Sequence, residues 1–318
     1  MKRLAAIAAL VLVSLAISLV AGEFAVRWIF RDLTTTTPIE SWFGERWKAA
    51  HLQRTKGFRE RPFSWKKPPG ERRLVVIGDS YTVAMGLPDE DRYARRIESA
   101  LGGDVRVHQL ARPGQELDGH VATLRDDALR AGADFVLLQF FVNDFEISKL
   151  GRPRPSRLVG VSWLHAFLYR HSALYAVAAL QWNALQAGTG MVEDYGSYLQ
   201  RRYGDPNGES RIAVELLREF FEIAQVHEIP VGVVLFPVFS DSDDAFGFLY
   251  DRVLAECERA EVPCVDLRPV FASHAGDEDL RLNRFDPHAG SRAHELAAEV
   301  LLETFGGQWR RRGLARPD

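Results

Sequence analysis

The chain has 318 residues, 47% hydrophobic and 26% charged, which excludes long disorder, collagen and a coiled coil as the main architecture and allows one large domain or two small ones. A net charge of −3 supplies no global basic field for nucleic acid. Two cysteines, Cys257 and Cys264, are too few for a disulfide scaffold or a four-thiolate zinc site; in an oxidising compartment they either pair or remain two buried thiols.

The N-terminus departs from this average. Met1, Lys2 and Arg3 precede an uncharged run over residues 4–22, interrupted only by Ser14 and Ser18. A helix of that length is roughly 28 Å long, about one hydrocarbon thickness. Lys2 and Arg3 keep their end cytoplasmic, which predicts the rest of the chain on the outer side of a cytoplasmic membrane. Arg27, Trp28 and Phe30 suit a membrane–water interface. The competing reading is a signal peptide ending at Val20-x-Gly22. The length of the run, and the apolar character that continues to Phe30, favour a retained anchor over residues 1–30.

Residues 31–70 read as a connector, with Thr34 to Thr37, a basic stretch and Pro68-Pro69-Gly70. Trp42, Phe43, Trp47, Phe63 and Trp65 say that it packs on something. From there strand and helix patterns alternate through a domain over residues 71–318. The apolar runs 74–77, 105–110, 135–142, 231–236 and 262–267 read as buried strands. Helical periodicity covers 91–101, 115–131, 210–227, 245–260 and 291–305. In the second of these Leu117, Val121, Leu124 and Ala128 share a face, and in the third Ile212, Leu216, Phe220 and Ile223 do. Five β-α units predict a doubly wound, parallel, five-stranded α/β sheet. An insertion at about residues 151–209 has a helical stretch at 161–187, rich in Trp, Leu, Ala and Tyr. His165, Arg170 and His171 interrupt it, so it reads as a helical cap, a membrane-facing surface or an ordinary packed helix, and not as a second span.

Ligands of open α/β sheets bind beyond the carboxyl ends of the strands, so the residues there carry the functional reading. Gly78-Asp79-Ser80-Tyr81 follows the first strand. Gly78 permits a tight turn, and Ser80 is either a nucleophile or, like Asp79, a helix N-cap. Gly114 follows the second strand, as a source of an unobstructed N–H or as a turn residue. Asn143-Asp144 follows the third, as an amide donor or an ordinary Asn-Asp turn. Arg284-Phe285-Asp286-Pro287-His288 precedes the last helix. There His288 is a candidate base and Asp286 a candidate orienting acid. Pro287 holds Asp286 extended, which leaves residues two apart on the same side. No cofactor is called for. A metal set of Asp286, His288 and His294 is disfavoured because His294 falls inside a helical pattern.

Taken in order, these four blocks resemble those of the SGNH hydrolases, also called the GDSL family, over about residues 71–305. The resemblance implies a flavodoxin-like sheet and a serine esterase mechanism. It makes Ser80 the nucleophile and His288 the base, with the Ser80 N–H, Gly114 and Asn143 as the oxyanion hole. The stretch from Gly86 to Asp91 also looks like membrane-anchored bacterial members. Three departures stand out. The acid, Asp286, lies two residues before His288 where the family usually has three, which leaves Asn283, Asp279 or a Ser-His dyad as alternatives. Phe141 stands where a glycine is common, which narrows the acyl pocket. Gln109 and Ala111 stand where Asn and Gly are frequent.

The function expected is thus that of an exported, membrane-anchored esterase or deacylase acting on a small-molecule or glycan ester. The alternatives are an O-acyltransferase working on a cell-envelope polysaccharide and a non-catalytic carbohydrate-binding or assembly protein. The first two differ only in what attacks the acyl-enzyme. The third leaves the joint presence of Ser80, Asn143 and His288 unexplained. No nucleic-acid partner is expected, and the oligomeric state is left open.

Overall fold

A computed structural model describes residues 2–31, 41–51, 54–147, 162–189, 193–239, 245–283 and 286–314. Thr34 to Thr37, residues 151–161 of the insertion, and Arg284 and Phe285 of the last block lie outside these residues. In chain order the elements begin with α1 (Lys2–Ile29), α2 (Trp42–His51), β1 (Arg54–Thr55), β2 (Phe58–Arg59), β3 (Arg72–Gly78), α3 (Ser80–Val83), α4 (Tyr93–Leu101) and β4 (Val105–Ala111). Then come α5 (Leu117–Thr123), a π-helical turn (Leu124–Ala128), α6 (Leu129–Ala131), β5 (Phe135–Phe140) and a 3₁₀ turn (Val142–Phe145). The chain continues with α7 (Ser162–His171), α8 (Ala173–Gly188), α9 (Tyr195–Tyr203), α10 (Ser210–Val226), β6 (Val231–Leu235), α11 (Gly247–Arg259) and β7 (Cys264–Asp266). It ends with α12 (Arg268–Ser273), β8 (Arg281–Asn283), β9 (Asp286–Ala289) and α13 (Ser291–Arg311).

Two compact units share these elements. The first comprises residues 1–50 and 155–193 and holds α1, α2, α7 and α8. Its helix α1 has 28 residues and is long and apolar enough to cross a membrane, or to be a signal sequence. No second such helix occurs among the described residues, and the insertion breaks instead into α7 and α8 at Ser172. Glu23 joins α1 to this pair. Its carboxylate accepts hydrogen bonds from Ser172 Oγ (2.7 Å) and from the N–H groups of Ala173 and Leu174 (2.9 Å each). Those amides open α8, where backbone donors have no helical partner. Arg27 bonds both Glu23 Oε1 (2.6 Å) and the His171 carbonyl (3.0 Å). The connector's Trp42 takes the guanidinium groups of Arg27 and Arg46 over its ring, at 5.3 and 4.8 Å.

The second unit, residues 51–154 and 194–318, is built on one parallel sheet ordered β4-β3-β5-β6-β7. Numbered among themselves the strands run 2-1-3-4-5, the flavodoxin-like order, with the switch point between β3 and β5. Alternate side chains of β3 enter opposite cores. Val75 and Ile77 join Val136, Leu138, Leu217 and Phe220, whereas Leu74 and Val76 join Leu137, Ile97, Leu301 and Trp309. Both faces of the sheet are therefore covered by helices, as continuous apolar strands require. Leu117, Val121, Leu124 and Ala128 are all buried as the periodicity predicts. On α10 the buried stripe is Ala213, Leu217, Phe220, Phe221 and Ala224, rotated from the expected Ile212, Leu216 and Ile223, which are only partly buried. A run of apolar residues on both sides of the true stripe makes its centre ambiguous by one position. Cys257 and Cys264 are free thiols.

The edge strand β4 is sealed by side chains. Glu60 accepts from Gln109 N (2.6 Å), Glu98 accepts from Val107 N (3.0 Å), and Arg95 donates to the Val107 carbonyl (2.7 Å). Glu60 and Arg95 also pair with each other, both almost wholly buried. These bonds occupy part of the ladder edge that another strand would need for pairing.

Candidate active site

Ser80, Gly114, Asn143, Asp286 and His288 all lie in the second unit, at the carboxyl end of its sheet. Register pairs Gly78 with Ala111 on one side, and Ile77 with Leu138 on the other. The turns carrying Ser80, Gly114 and Asn143 thus leave three adjacent strands at the same end. Asp79 caps α3, its Oδ1 accepting from Tyr81 N (2.9 Å), and Ser80 is the first helical residue. Gly78 is required by a close approach and not by its turn geometry. A Cβ there would stand 2.3 Å from Thr82 Oγ1 and 2.4 Å from Gln139 Oε1. That Gln139 oxygen accepts hydrogen bonds from Asp79 N (3.0 Å), Thr82 N (3.2 Å) and Thr82 Oγ1 (2.9 Å), so one buried amide on β5 holds the whole turn around Ser80. From the other end Arg59 donates to the carbonyls of Val83 and Ala84 (2.8 Å each), at the C-terminus of α3, and of Leu87 (2.7 Å), just beyond it.

Ser80 Oγ lies 2.9 Å from His288 Nε2, and His288 Nδ1 lies 2.6 Å from Asp286 Oδ1. Asp286 Oδ1 also accepts from His288 N at 3.1 Å. The two-residue spacing follows from local structure. Asp286 and His288 sit on strand β9 of a short antiparallel hairpin with β8, so alternation turns both side chains to one side and exposes Pro287 on the other. Asp286 is fully buried, while the His288 side chain keeps 17% of its surface exposed. Burial opposes a charge on His288, but the hydrogen bond and charge of Asp286, helped by Asp79, outweigh it and raise the imidazole pKa above its ordinary value. The fallback residues Asn283 and Asp279 are not what His288 Nδ1 meets.

Gly114 has φ 65°, a left-handed conformation that glycine adopts without strain. A cavity of about 400 Å³ opens beside it, lined by Arg112, Gln115, Thr123 and Asp127 among others. A larger cavity, about 1010 Å³, lies along the β4 edge near Glu60 and His108 and includes none of the site residues. Asn143 is in the 3₁₀ turn after β5. Its side-chain oxygen is buried without a hydrogen-bond partner among the described residues. Phe141, which opens that turn, stacks on Tyr81 with centroids 4.3 Å apart, and Tyr81 meets the His288 ring at 5.3 Å.

Three groups escape a reading of the sequence. Gln139 and Arg59 are described above. The third is a buried pair in which His120 Nε2 lies 3.0 Å from Asp144 Oδ1. A polar residue inside an otherwise apolar strand, Phe135 to Phe140, was the available signal for Gln139. His294 is a core residue whose Nδ1 accepts from Tyr93 N (3.2 Å), and burial followed by nearby arginines lowers its pKa to about 3. No cluster of three metal-ligating side chains occurs among the described residues.

The chain is similar to solved structures at low sequence identity. For the structure titled TesA the identity is 14%, covering 74% of this chain and 99% of that one, with a TM-score of 0.48. For the lipase/acylhydrolase from Enterococcus faecalis it is 15%, covering 74% and 96%, with a TM-score of 0.44. For the psychrotrophic esterase EstA from Pseudoalteromonas sp. it is 12%, covering 76% and 100%, with a TM-score of 0.46. No family model matches the chain, and no curated protein does.

Proposed function

We propose that this protein is an ester hydrolase of the SGNH type, held by α1 on the outer face of a cytoplasmic membrane. The single observation that supports the reading best is the line Ser80 Oγ, His288, Asp286, at 2.9 and 2.6 Å, at the carboxyl end of the sheet beside its switch point. In the proposed cycle Ser80 Oγ attacks the ester carbonyl carbon as its proton passes to His288 Nε2. The developing oxyanion takes hydrogen bonds from the N–H groups of Ser80 and Gly114 and from the Asn143 amide. Collapse breaks the bond to the alcohol oxygen, which leaves with the proton returned by His288. Water then repeats the sequence on the acyl-serine, releasing the acid and restoring Ser80. Asp286 holds the imidazole in the tautomer with a proton on Nδ1 and faces the imidazolium as it forms.

The test is turnover of p-nitrophenyl acetate by the full-length chain in detergent, with and without an acceptor glycan. Wild type should hydrolyse the ester and take up a serine-directed phosphonate at Ser80, whereas Ser80→Ala should do neither while melting at nearly the same temperature. Full turnover by Ser80→Ala would overturn the reading, and rate enhancement by the glycan would move it to an acyltransferase.

A further inference from the structure

The turns that carry Gly114 and Asn143 leave strands on opposite sides of β3, yet a chain of buried polar groups joins them. Gln115, next to Gly114, places Nε2 at 3.3 Å from His120 Nδ1 and donates to Thr123 Oγ1 at 2.8 Å. His120 Nε2 lies 3.0 Å from Asp144 Oδ1. Asp144, next to Asn143, uses Oδ2 to accept from Phe141 N at 3.0 Å. His120 and Asp144 are fully buried, and Gln115 and Thr123 nearly so. One neutral tautomer satisfies every link. Gln115 donates to Nδ1, the Nε2 proton goes to Asp144 Oδ1, and the Phe141 amide goes to Oδ2. One further ionisable group joins this chain from the cavity side: Arg112 donates to Thr123 Oγ1 at 3.1 Å and to Gln115 Oε1 at 3.4 Å, and it pairs with Asp127 at 3.5 Å.

A buried carboxylate and imidazole are costly to keep in a sheet flank that apolar side chains could fill. Among the described residues no hydrogen bond joins them to Ser80 or His288, and although Asp144 Oδ2 caps the turn after β5 through Phe141 N, that cap does not call for the imidazole on its other oxygen. What they fix is the separation of two turns. A satisfied buried network specifies one geometry, because every alternative leaves a polar group unpaired. Donors to an oxyanion must be held within a few tenths of an ångström to be useful, so the strut has its value at this place.

We propose that His120 is a positioning residue that ties the Gly114 loop to the Asn143 turn through Gln115 and Asp144, and so sets the spacing of the oxyanion donors. The proposal rests on the ester-hydrolase reading given above. It predicts that removing the strut and removing a donor are the same injury in part.

The experiment is a double-mutant cycle on the full-length chain, read as kcat and KM for p-nitrophenyl acetate. Asn143→Ala alone should cost roughly 10²-fold or more in kcat. Gln115→Met removes the link with volume kept and with the His120–Asp144 pair intact, and His120→Gln shortens the strut while keeping a donor for Asp144. Each should lower kcat about tenfold with KM nearly unchanged, and Gln115→Met should melt close to wild type. Combined with Asn143→Ala, either change should cost well under its separate factor, since coupled sites are not additive. Independent, multiplicative losses, or wild-type kcat in Gln115→Met and in a folded His120→Gln, would overturn the strut. If Asn143→Ala itself leaves kcat unchanged, the oxyanion assignment falls first and the strut with it, a result distinct from the loss of coupling.

Discussion

The role of Asp286 is the part of the site most open to measurement. Replacing it with Asn keeps the volume of a fully buried side chain and removes a charge whose oxygen lies 2.6 Å from His288 Nδ1. Two things change. An amide NH2 facing Nδ1 pulls the proton to Nε2, where it points at Ser80 and blocks the acceptance of a proton. The imidazolium also loses its anionic partner. Taking about 4 Å between charge centres and an effective dielectric near 20, that partner contributes about 4 kcal/mol. At about 1.4 kcal/mol for each factor of ten, kcat should fall roughly 10³-fold with KM nearly unchanged. A pH profile adds an independent check. The base is the neutral imidazole, so kcat/KM rises with pH through the His288 pKa and levels off above it. In wild type that inflection lies above the ordinary imidazole value, because Asp286 outweighs burial. With Asp286 gone only the more distant charge of Asp79 still opposes burial, so the inflection should move to lower pH while the plateau drops. An Asp286→Asn enzyme within about threefold of wild type, with its inflection unmoved, would refute the triad and leave a Ser80–His288 dyad. The raised pKa also carries a stability term of opposite sense. It is fully present below the unfolded imidazole pKa and is lost as pH rises through the folded one, so the protein should be activated over the same range in which this term fades.

Two further outcomes follow from named contacts. Phe141→Ala removes the ring that stacks on Tyr81, so p-nitrophenyl octanoate should gain at least about fivefold on the acetate in kcat/KM; an unchanged ratio would show that Phe141 does not bound the acyl site. The full-length chain should stay in the membrane pellet on fractionation, and protease added to spheroplasts should digest the unit that carries Ser80; a mature N-terminus near Glu23 would instead identify α1 as a cleaved signal.

Most of the second unit was legible because its signals are local. A short run such as Leu74 to Ile77 is apolar at every position, and only a strand covered on both faces has use for that. Gly78, Asp79 and Ser80 could likewise be placed after it by inspection, although the reason for Gly78 proved to be crowding by Gln139 from the next strand. The β8–β9 hairpin was not legible. Its strands have three and four residues, Pro287 sits inside one of them, and neither alternates over enough positions to be read. Even so, the extended conformation expected at Asp286 from Pro287 is the one that brings its carboxylate to His288. The contacts of His120 with Asp144 and of Gln139 with Thr82 span 24 and 57 positions. Nothing in the spacing of such residues distinguishes a buried pair from two solvated side chains, and only the register of the sheet brings them together.

The distribution of buried polar groups in this sheet has a consequence for how the site holds its shape. Through its middle, β3 presents Leu74, Val75, Val76 and Ile77, all fully buried among apolar side chains, and the side-chain contacts there are dispersion contacts with little direction. At the carboxyl end of the sheet stand Asp79, Gln139 and Asp144, with His120 from α5 and Asp286 from β9 beside them, each fully buried and each hydrogen-bonded. Hydrogen bonds are short and directional, and losing one in the interior leaves a desolvated group behind. A displacement at this end therefore breaks directional side-chain hydrogen bonds as well as packing contacts. Ser80 gains a fixed position from Gln139 and Arg59, and His288 gains one from Asp286, without either reactive atom being used to make the frame. The carboxyl end thus trades the economy of an apolar core for a defined geometry, and it does so where β3, β4 and β5 deliver the turns that carry Ser80, Gly114 and Asn143.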